Sequence, residues 1–127
     1  MKKILIIDDD LLTRASLAQT LLRDDYRVFH AKDGQKGLEQ ARKSKPDLII
    51  CDLDSPKING LELRTAIRED ARTNRIPIIF LTENPVPNGL EPATPLAEPE
   101  YLTKPVDRDK LVRLVQHRLR GREHKSH

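Results

Sequence analysis

Four short apolar runs each end in a side chain capable of chemistry: Ile4 to Ile7 before Asp8 and Asp9, Leu48 to Cys51 before Asp52, Ile78 to Leu81 before Thr82, and Tyr101 to Thr103 before Lys104. Stretches of helical period separate most of them, and such alternation predicts a parallel sheet joined by right-handed crossovers. In a doubly wound α/β sheet the carboxyl ends of neighbouring strands lie along one edge, and ligands bind there. Acids, a hydroxyl and an ammonium would then converge on one cleft.

The first helix is marked by Leu11, Ala15, Ala18 and Leu22, with Leu12, Leu17 and Leu21 widening the stripe and Asp10 or Thr13 placed to cap it. Tyr26 to Ala31 follows as a second strand. Asp33-Gly34 signals a turn, and the next helix, with Leu38 and Ala41 inward, closes before Pro46. The run from Asp47 to Cys51 is nearly all apolar, as a strand covered on both faces should be, and belongs in mid-sheet. Asn59-Gly60 breaks the following loop before a third helix with Leu61, Leu63, Ala66 and Ile67. Asp107 is placed to cap a last helix with Leu111, Leu114, Val115 and Leu119 on its inner side.

One stretch departs from this rhythm. Between Glu83 and Glu100 stand Pro85, Pro87, Pro92, Pro95 and Pro99, and each proline in a helix interior costs about 3 kcal/mol. A proline-rich loop over 83–100, with at most a single turn, is expected in place of a crossover helix. The same stretch holds Glu83, Glu91, Glu98 and Glu100 without a Lys or Arg, a composition that favours a solvated extended loop over a docking segment for a basic partner.

At 127 residues the chain has room for one domain with a proper core, read as residues 1–120, followed by a polar tail at 121–127. Lys2 and Lys3 precede an apolar stretch that Asp8 interrupts too early for a secretory or membrane-spanning segment. No membrane association is expected. The lone Cys51 excludes an internal disulfide and suits the cytoplasm. Net charge is only +3, and the C-terminal cluster of Arg113, Arg118, Arg120, Arg122 and Lys125 reads as a solvated helix face rather than a nucleic-acid contact.

Taken alone, Asp8 and Asp9 are equally well explained as acids near a helix N-terminus or as metal ligands. Asp52, at the end of an adjoining buried strand, brings a third carboxylate into the same place. Such crowding raises carboxyl pKa values or recruits a cation, and an all-oxygen site suits Mg²⁺. A carboxylate beside Mg²⁺ can attack a phosphoryl group and hold it as an acyl phosphate. Thr82 is placed to donate to a phosphoryl oxygen, and Lys104 to supply positive charge opposite the metal.

Asp8-Asp9 after ILII, Asp52 after LIIC, Pro56 and Gly60 in DLDSPKING, Thr82 after IIFL, and Lys104-Pro105 after Tyr101 together resemble the receiver domain of two-component response regulators, from Lys2 to about Arg120. The resemblance implies a flavodoxin-like fold with a five-stranded parallel sheet. It implies that Asp52 accepts a phosphoryl group from a histidine kinase or phosphotransfer protein. Asp9 and Asp52 would bind Mg²⁺ or Mn²⁺ directly, Asp8 mainly through water, and the backbone carbonyl of Asp54 would complete the protein ligands. Thr82 and Lys104 would contact the phosphoryl group, Tyr101 would change exposure with Thr82 as a switch, and a cis bond is expected before Pro105.

The chain departs from the family pattern at three points. Glu83 follows Thr82 where a small residue is usual, and Ser55 replaces a larger apolar one. The proline-rich loop takes the place of the fourth helix of the usual order, which puts the usual receiver dimer in doubt. Two other readings use the same residues. One is a pseudo-receiver that binds partners without phosphorylation. The other is a haloacid dehalogenase-like phosphatase, suggested by Asp52-Leu53-Asp54, although Asp8 and Asp9 precede the nucleophile in the wrong order for that class.

Overall fold

The computed structural model describes residues 1–83 and 100–125; for residue 100 and residues 121–125 only the backbone is considered. Among the described residues, five strands and four helices follow one another as β1 (Lys3–Ile7), α1 (Leu11–Leu22), β2 (Arg27–Ala31), α2 (Gly34–Ser44), β3 (Leu48–Asp52), α3 (Gly60–Glu69), β4 (Ile78–Thr82), β5 (Glu100–Thr103) and α4 (Arg108–Lys125). All strand pairs are parallel, in the order β2-β1-β3-β4-β5. This is the doubly wound order in which the chain reverses direction across the sheet between β1 and β3.

Period-two alternation divides the core into two layers. Leu5, Ile7, Ile49, Cys51, Ile78 and Phe80 face α2 and α3, whose Ala41, Leu63 and Ile67 cover them. Ile4, Ile6, Leu48, Ile50, Ile79 and Leu81 face the other way, against Leu17, Ala18 and Leu21 of α1 and Leu111, Val115 and Leu119 of α4. Every residue of β3 and β4 is buried, so these two strands have no solvent face.

Side-chain caps define the starts of the helices. Asp10 caps α1 by accepting from Leu12 N–H at 3.3 Å, Asp33 caps α2 through Lys36 N–H at 2.7 Å, and Asn59 caps α3 through Glu62 N–H at 3.1 Å. Asp107 accepts from Lys110 N–H at 3.1 Å ahead of α4. Asp33 and Asn59, expected as turn and loop residues, thus act as the first capping groups of helices. Gly60 is needed for a close approach: a Cβ there would lie 2.4 Å from Leu53 Cδ1 and 3.1 Å from Phe80 Cε1.

Two expectations need correction. The buried face of α1 is Leu17, Ala18, Thr20 and Leu21, whereas Leu11, Leu12, Ala15 and Leu22 are exposed. Only one side of α1 meets the layer of Ile4, Ile6, Leu48 and Ile50, and the apolar stripe is wider than that side, so its outer residues stay in solvent. The backbone assigned to a polar tail from Gly121 is helical as far as Lys125. One glycine costs a helix only about 1 kcal/mol relative to alanine, too little to end it among strong helix formers. The expected proline-rich loop falls on residues 84–99, outside the described residues. Among the described residues, no helix is long and apolar enough to cross a membrane.

Candidate functional site at the carboxyl edge of the sheet

Parallel pairing brings the ends of four strands together. Asp8 and Asp9 follow β1, Asp52 closes β3, Thr82 closes β4, and Lys104 follows β5. The ladder continues past the strands through Leu53 N–H to Leu81 O at 2.9 Å and Lys104 N–H to Thr82 O at 2.8 Å. These bonds hold the site residues in register rather than leaving them on free loops. The Lys104–Pro105 peptide is cis.

One carboxylate oxygen from each of Asp8, Asp9 and Asp52 falls within 4.8 Å of the others. Asp8 and Asp52 are only 2% and 5% exposed, while Asp9 opens to solvent. Asp8 Oδ1 accepts from Asp10 N–H at 2.9 Å, but its buried Oδ2 has no hydrogen-bond partner. Burial raises the Asp8 pKa above the usual carboxylate range; the Asp10 N–H opposes the rise, and the Asp52 charge adds to it. A buried carboxylate oxygen without a donor, beside two further carboxylates, is the donor set of a hard divalent cation. The residues present therefore fit Mg²⁺ or Mn²⁺.

Lys104 closes the other side. Its Nζ lies 2.7 Å from Asp52 Oδ1 and 3.3 Å from Asp54 Oδ2. Burial works against the ammonium, but the hydrogen bonds and charges of Asp52 and Asp54 prevail and raise its pKa. Asp52 Oδ1 also accepts from Asp54 N–H at 3.0 Å. The Thr82 hydroxyl, 1% exposed as a residue, points into the cleft and donates to Asp54 Oδ1 at 2.8 Å.

The contacts of the Asp54 side chain are what the sequence reading missed, although the resemblance places Asp54 at a position that modulates dephosphorylation as well as giving its carbonyl to the metal. The signal was present: Asp52 and Asp54 are separated by the strand period of two, which directs both toward the same side of an extended chain. Arg14 was also missed; its Nη1 donates to the Asp8 carbonyl at 2.5 Å and ties α1 to the end of β1. The Glu83 side chain is exposed, and what Glu83 contributes to the cleft is its N–H, which donates to Asp54 Oδ2 at 2.8 Å.

Gly60 lies behind the cleft under Leu53 and Phe80, Pro56 is exposed in the β3–α3 loop, and Ser55 is buried there, its Oγ accepting from Lys57 N–H at 3.1 Å. Tyr101 is half-buried on β5, packed at the edge of the core layer that contains Phe80. It pairs with Phe80, two residues before Thr103 meets Thr82 at the strand ends, and is not inside the carboxylate cluster.

An acidic cleft, a hydroxyl and a lysine at the carboxyl edge of a β2-β1-β3-β4-β5 sheet are the architecture of a signalling receiver module. The chain belongs to the response regulator receiver domain family, whose model matches residues 4–116. It is 31% identical to protein PilH of Pseudomonas aeruginosa over 121 residues, covering 95% of this chain and 100% of PilH. It is 36% identical to the transcriptional regulatory protein AfsQ1 of Streptomyces coelicolor, but spans only 55% of that protein. The chemotaxis response regulator CheY4 of Vibrio cholerae superposes with a TM-score of 0.81 at 30% identity, covering 93% of this chain and 98% of CheY4. The receiver domain of sensor histidine kinase PA1611 from P. aeruginosa, solved with a magnesium ion in its active site cleft, superposes with a TM-score of 0.81 at 28% identity, covering 93% of this chain and 97% of that domain. Family membership displaces the phosphatase reading of Asp52-Leu53-Asp54.

Proposed function

We propose that this chain accepts a phosphoryl group on Asp52 from a phosphohistidine of a histidine kinase or phosphotransfer protein, and that residues 1–120 are the unit that does so. The observation carrying the reading is the pairing of Asp52 with Lys104 at 2.7 Å within a carboxylate cluster that also holds Asp8 and Asp9. Asp8, Asp9 and Asp52, with the carbonyl of Asp54, would hold Mg²⁺ or Mn²⁺. When bound, the cation supplies the positive charge that lets phosphoryl oxygens enter an acidic cleft.

A carboxylate oxygen of Asp52 forms the new P–O bond as the donor's P–N bond breaks, and the electron pair leaves with the imidazole. Lys104 and Thr82 meet the charge on the transferred group with an ammonium and a hydroxyl, held in place before the reaction. Lys104 also orients the Asp52 carboxylate by a charge-assisted hydrogen bond. Thr82 then reports the modification by taking a phosphoryl oxygen as its acceptor, and Tyr101, at the edge of the same strand pair, changes exposure.

The protein donor must bring its histidine to the mouth of the cleft. Beside that mouth lies an open groove of about 600 Å³ between α1 and the start of α4, lined by Leu12, Thr13, Lys104, Pro105 and Val106 among others. Leu12 is 78% exposed there, an apolar shoulder suited to a helix of the donor.

Intact mass after incubation with Mg²⁺ and a small acyl phosphate tests the reading. The wild type gains one phosphoryl group, and Asp52→Asn gains none. A wild type that remains unmodified at high donor concentration would point instead to a pseudo-receiver.

A further inference from the structure

The cleft contains an anion of its own. The Asp54 carboxylate receives the Thr82 hydroxyl at 2.8 Å on Oδ1 and the Glu83 N–H at 2.8 Å on Oδ2, with Lys104 Nζ 3.3 Å from Oδ2. A hydroxyl, a backbone amide and an ammonium arranged about two oxygens form the donor set of an oxyanion site. Burial pushes the Asp54 pKa up, but the three donors outweigh it and hold the carboxyl below the usual range. The Asp54 N–H is tied to Asp52 Oδ1 at 3.0 Å, so the side chain can move while the backbone stays. That side chain is 32% exposed and opens toward solvent, so it can leave without disturbing either core layer.

We propose that Asp54 is the resident occupant of the phosphoryl cradle: an internal carboxylate that satisfies Thr82, the Glu83 N–H and Lys104 until a phosphoryl group displaces it. The proposal rests on the phosphoacceptor reading of Asp52. Two consequences follow from the geometry. An incoming phosphoryl group binds only molecules whose cradle is vacant, so its apparent affinity falls by the vacant fraction. The inward position of the Thr82 hydroxyl is already set before phosphorylation, and modification exchanges one anion for another at Thr82. Asp54 thereby sets a threshold that weak phosphodonors meet more slowly than they would at an open site.

Trifluoroberyllate, a non-covalent phosphoryl mimic, tests this in saturating Mg²⁺ by ¹H–¹⁵N NMR titration. With three donors holding the carboxylate, vacancy in about one molecule in ten is expected, and Asp54→Ala should bind the mimic about tenfold tighter than wild type. Asp54→Asn keeps the acceptor oxygen but loses the charge, and should fall between the two. Glu83→Gln removes one exposed charge beside the cleft while leaving the cradle occupied, and should shift affinity less than about twofold. The Glu83 amide resonance should move in free Asp54→Ala, where its acceptor is gone, and move again when the mimic binds. Equal or weaker binding by both Asp54 variants would overturn the proposal, as would equal tightening in Glu83→Gln. Absence of binding in all four proteins would overturn the phosphoacceptor reading itself, and the proposal with it.

Discussion

Replacing Asp8 with Asn tests the electrostatic load of the cleft. Asp8 contributes a buried carboxylate within 4.8 Å of those of Asp9 and Asp52, and its Oδ2 has no donor. Two unit charges at that distance repel by about 3.5 kcal/mol at an effective dielectric constant of 20. Solvent at exposed Asp9 and the ammonium of Lys104 offset part of this, so a net load of about 1–2 kcal/mol remains in the absence of metal. Asn can keep the bond from Asp10 N–H on its carbonyl oxygen while shedding the charge. In urea unfolding with EDTA, Asp8→Asn should therefore be more stable than wild type by about 1–2 kcal/mol, a midpoint shift of about 1 M. Mg²⁺ at 100 times its dissociation constant should stabilise wild type by about 2.7 kcal/mol and the variant by much less. The pH dependence has a defined sign. The folded-state pKa of Asp8 is raised, so the folded protein binds the extra proton; its contribution to stability is full below the ordinary carboxylate range and is lost as pH rises through the raised value. The metal-free advantage of Asp8→Asn should accordingly grow with pH across that window. A variant no more stable than wild type in EDTA, or one that retains the full Mg²⁺ gain, would refute the reasoning.

Gly60→Ala should destabilise the fold by about 1–3 kcal/mol despite the better helix propensity of alanine, because its Cβ meets Leu53 Cδ1 at 2.4 Å and the Phe80 ring at 3.1 Å; thermal unfolding measures it. Leu12→Gln should leave stability within about 0.5 kcal/mol, as the side chain is 78% exposed. The same change should slow phosphotransfer from a protein donor by about tenfold while leaving the rate with a small acyl phosphate unaltered, which paired kinetics would reveal. Asp70 accepts from Arg72 and from Arg42 at 2.8 Å, and hydrogen bonds from Arg72 hold its carboxyl well below the usual range. Its depressed pKa contributes stability above the ordinary carboxylate range that is lost as pH falls through the folded-state value. Asp70→Asn should thus lower the urea midpoint at neutral pH, and the gap to wild type should close in acid.

Local pattern carried much of this protein. The apolar runs at Ile4 to Ile7, Leu48 to Cys51 and Ile78 to Leu81 could be placed in a covered parallel sheet because a strand with both faces buried has no polar alternation to offer. Asp107 was legible as a cap because its side chain bonds an N–H three residues away, a contact that requires no distant partner. The first helix was less legible. Seven apolar residues between Leu11 and Leu22 make a stripe wider than any one face, and only the position of the sheet edge decides that Leu17, Ala18 and Leu21 go inside. Residues 121–127 were read as a polar tail, while the backbone of the last helix continues through Gly121 to Lys125.

By itself, the sequence determined which chemical groups stand at the strand ends: Asp8, Asp9, Asp52, Thr82 and Lys104 occupy positions set by short-range periodicity and by the chain order of the strands. Tertiary structure alone decided which of those groups touch. Strand pairing across β3, β4 and β5 brings Lys104 to Asp52 over 52 residues of chain, and Thr82 and the Glu83 N–H to Asp54 over 28 and 29. A sequence records that Asp54 is an acid; whether that acid faces solvent or fills the oxyanion cradle depends on donors from another strand, held in place by the register of the sheet.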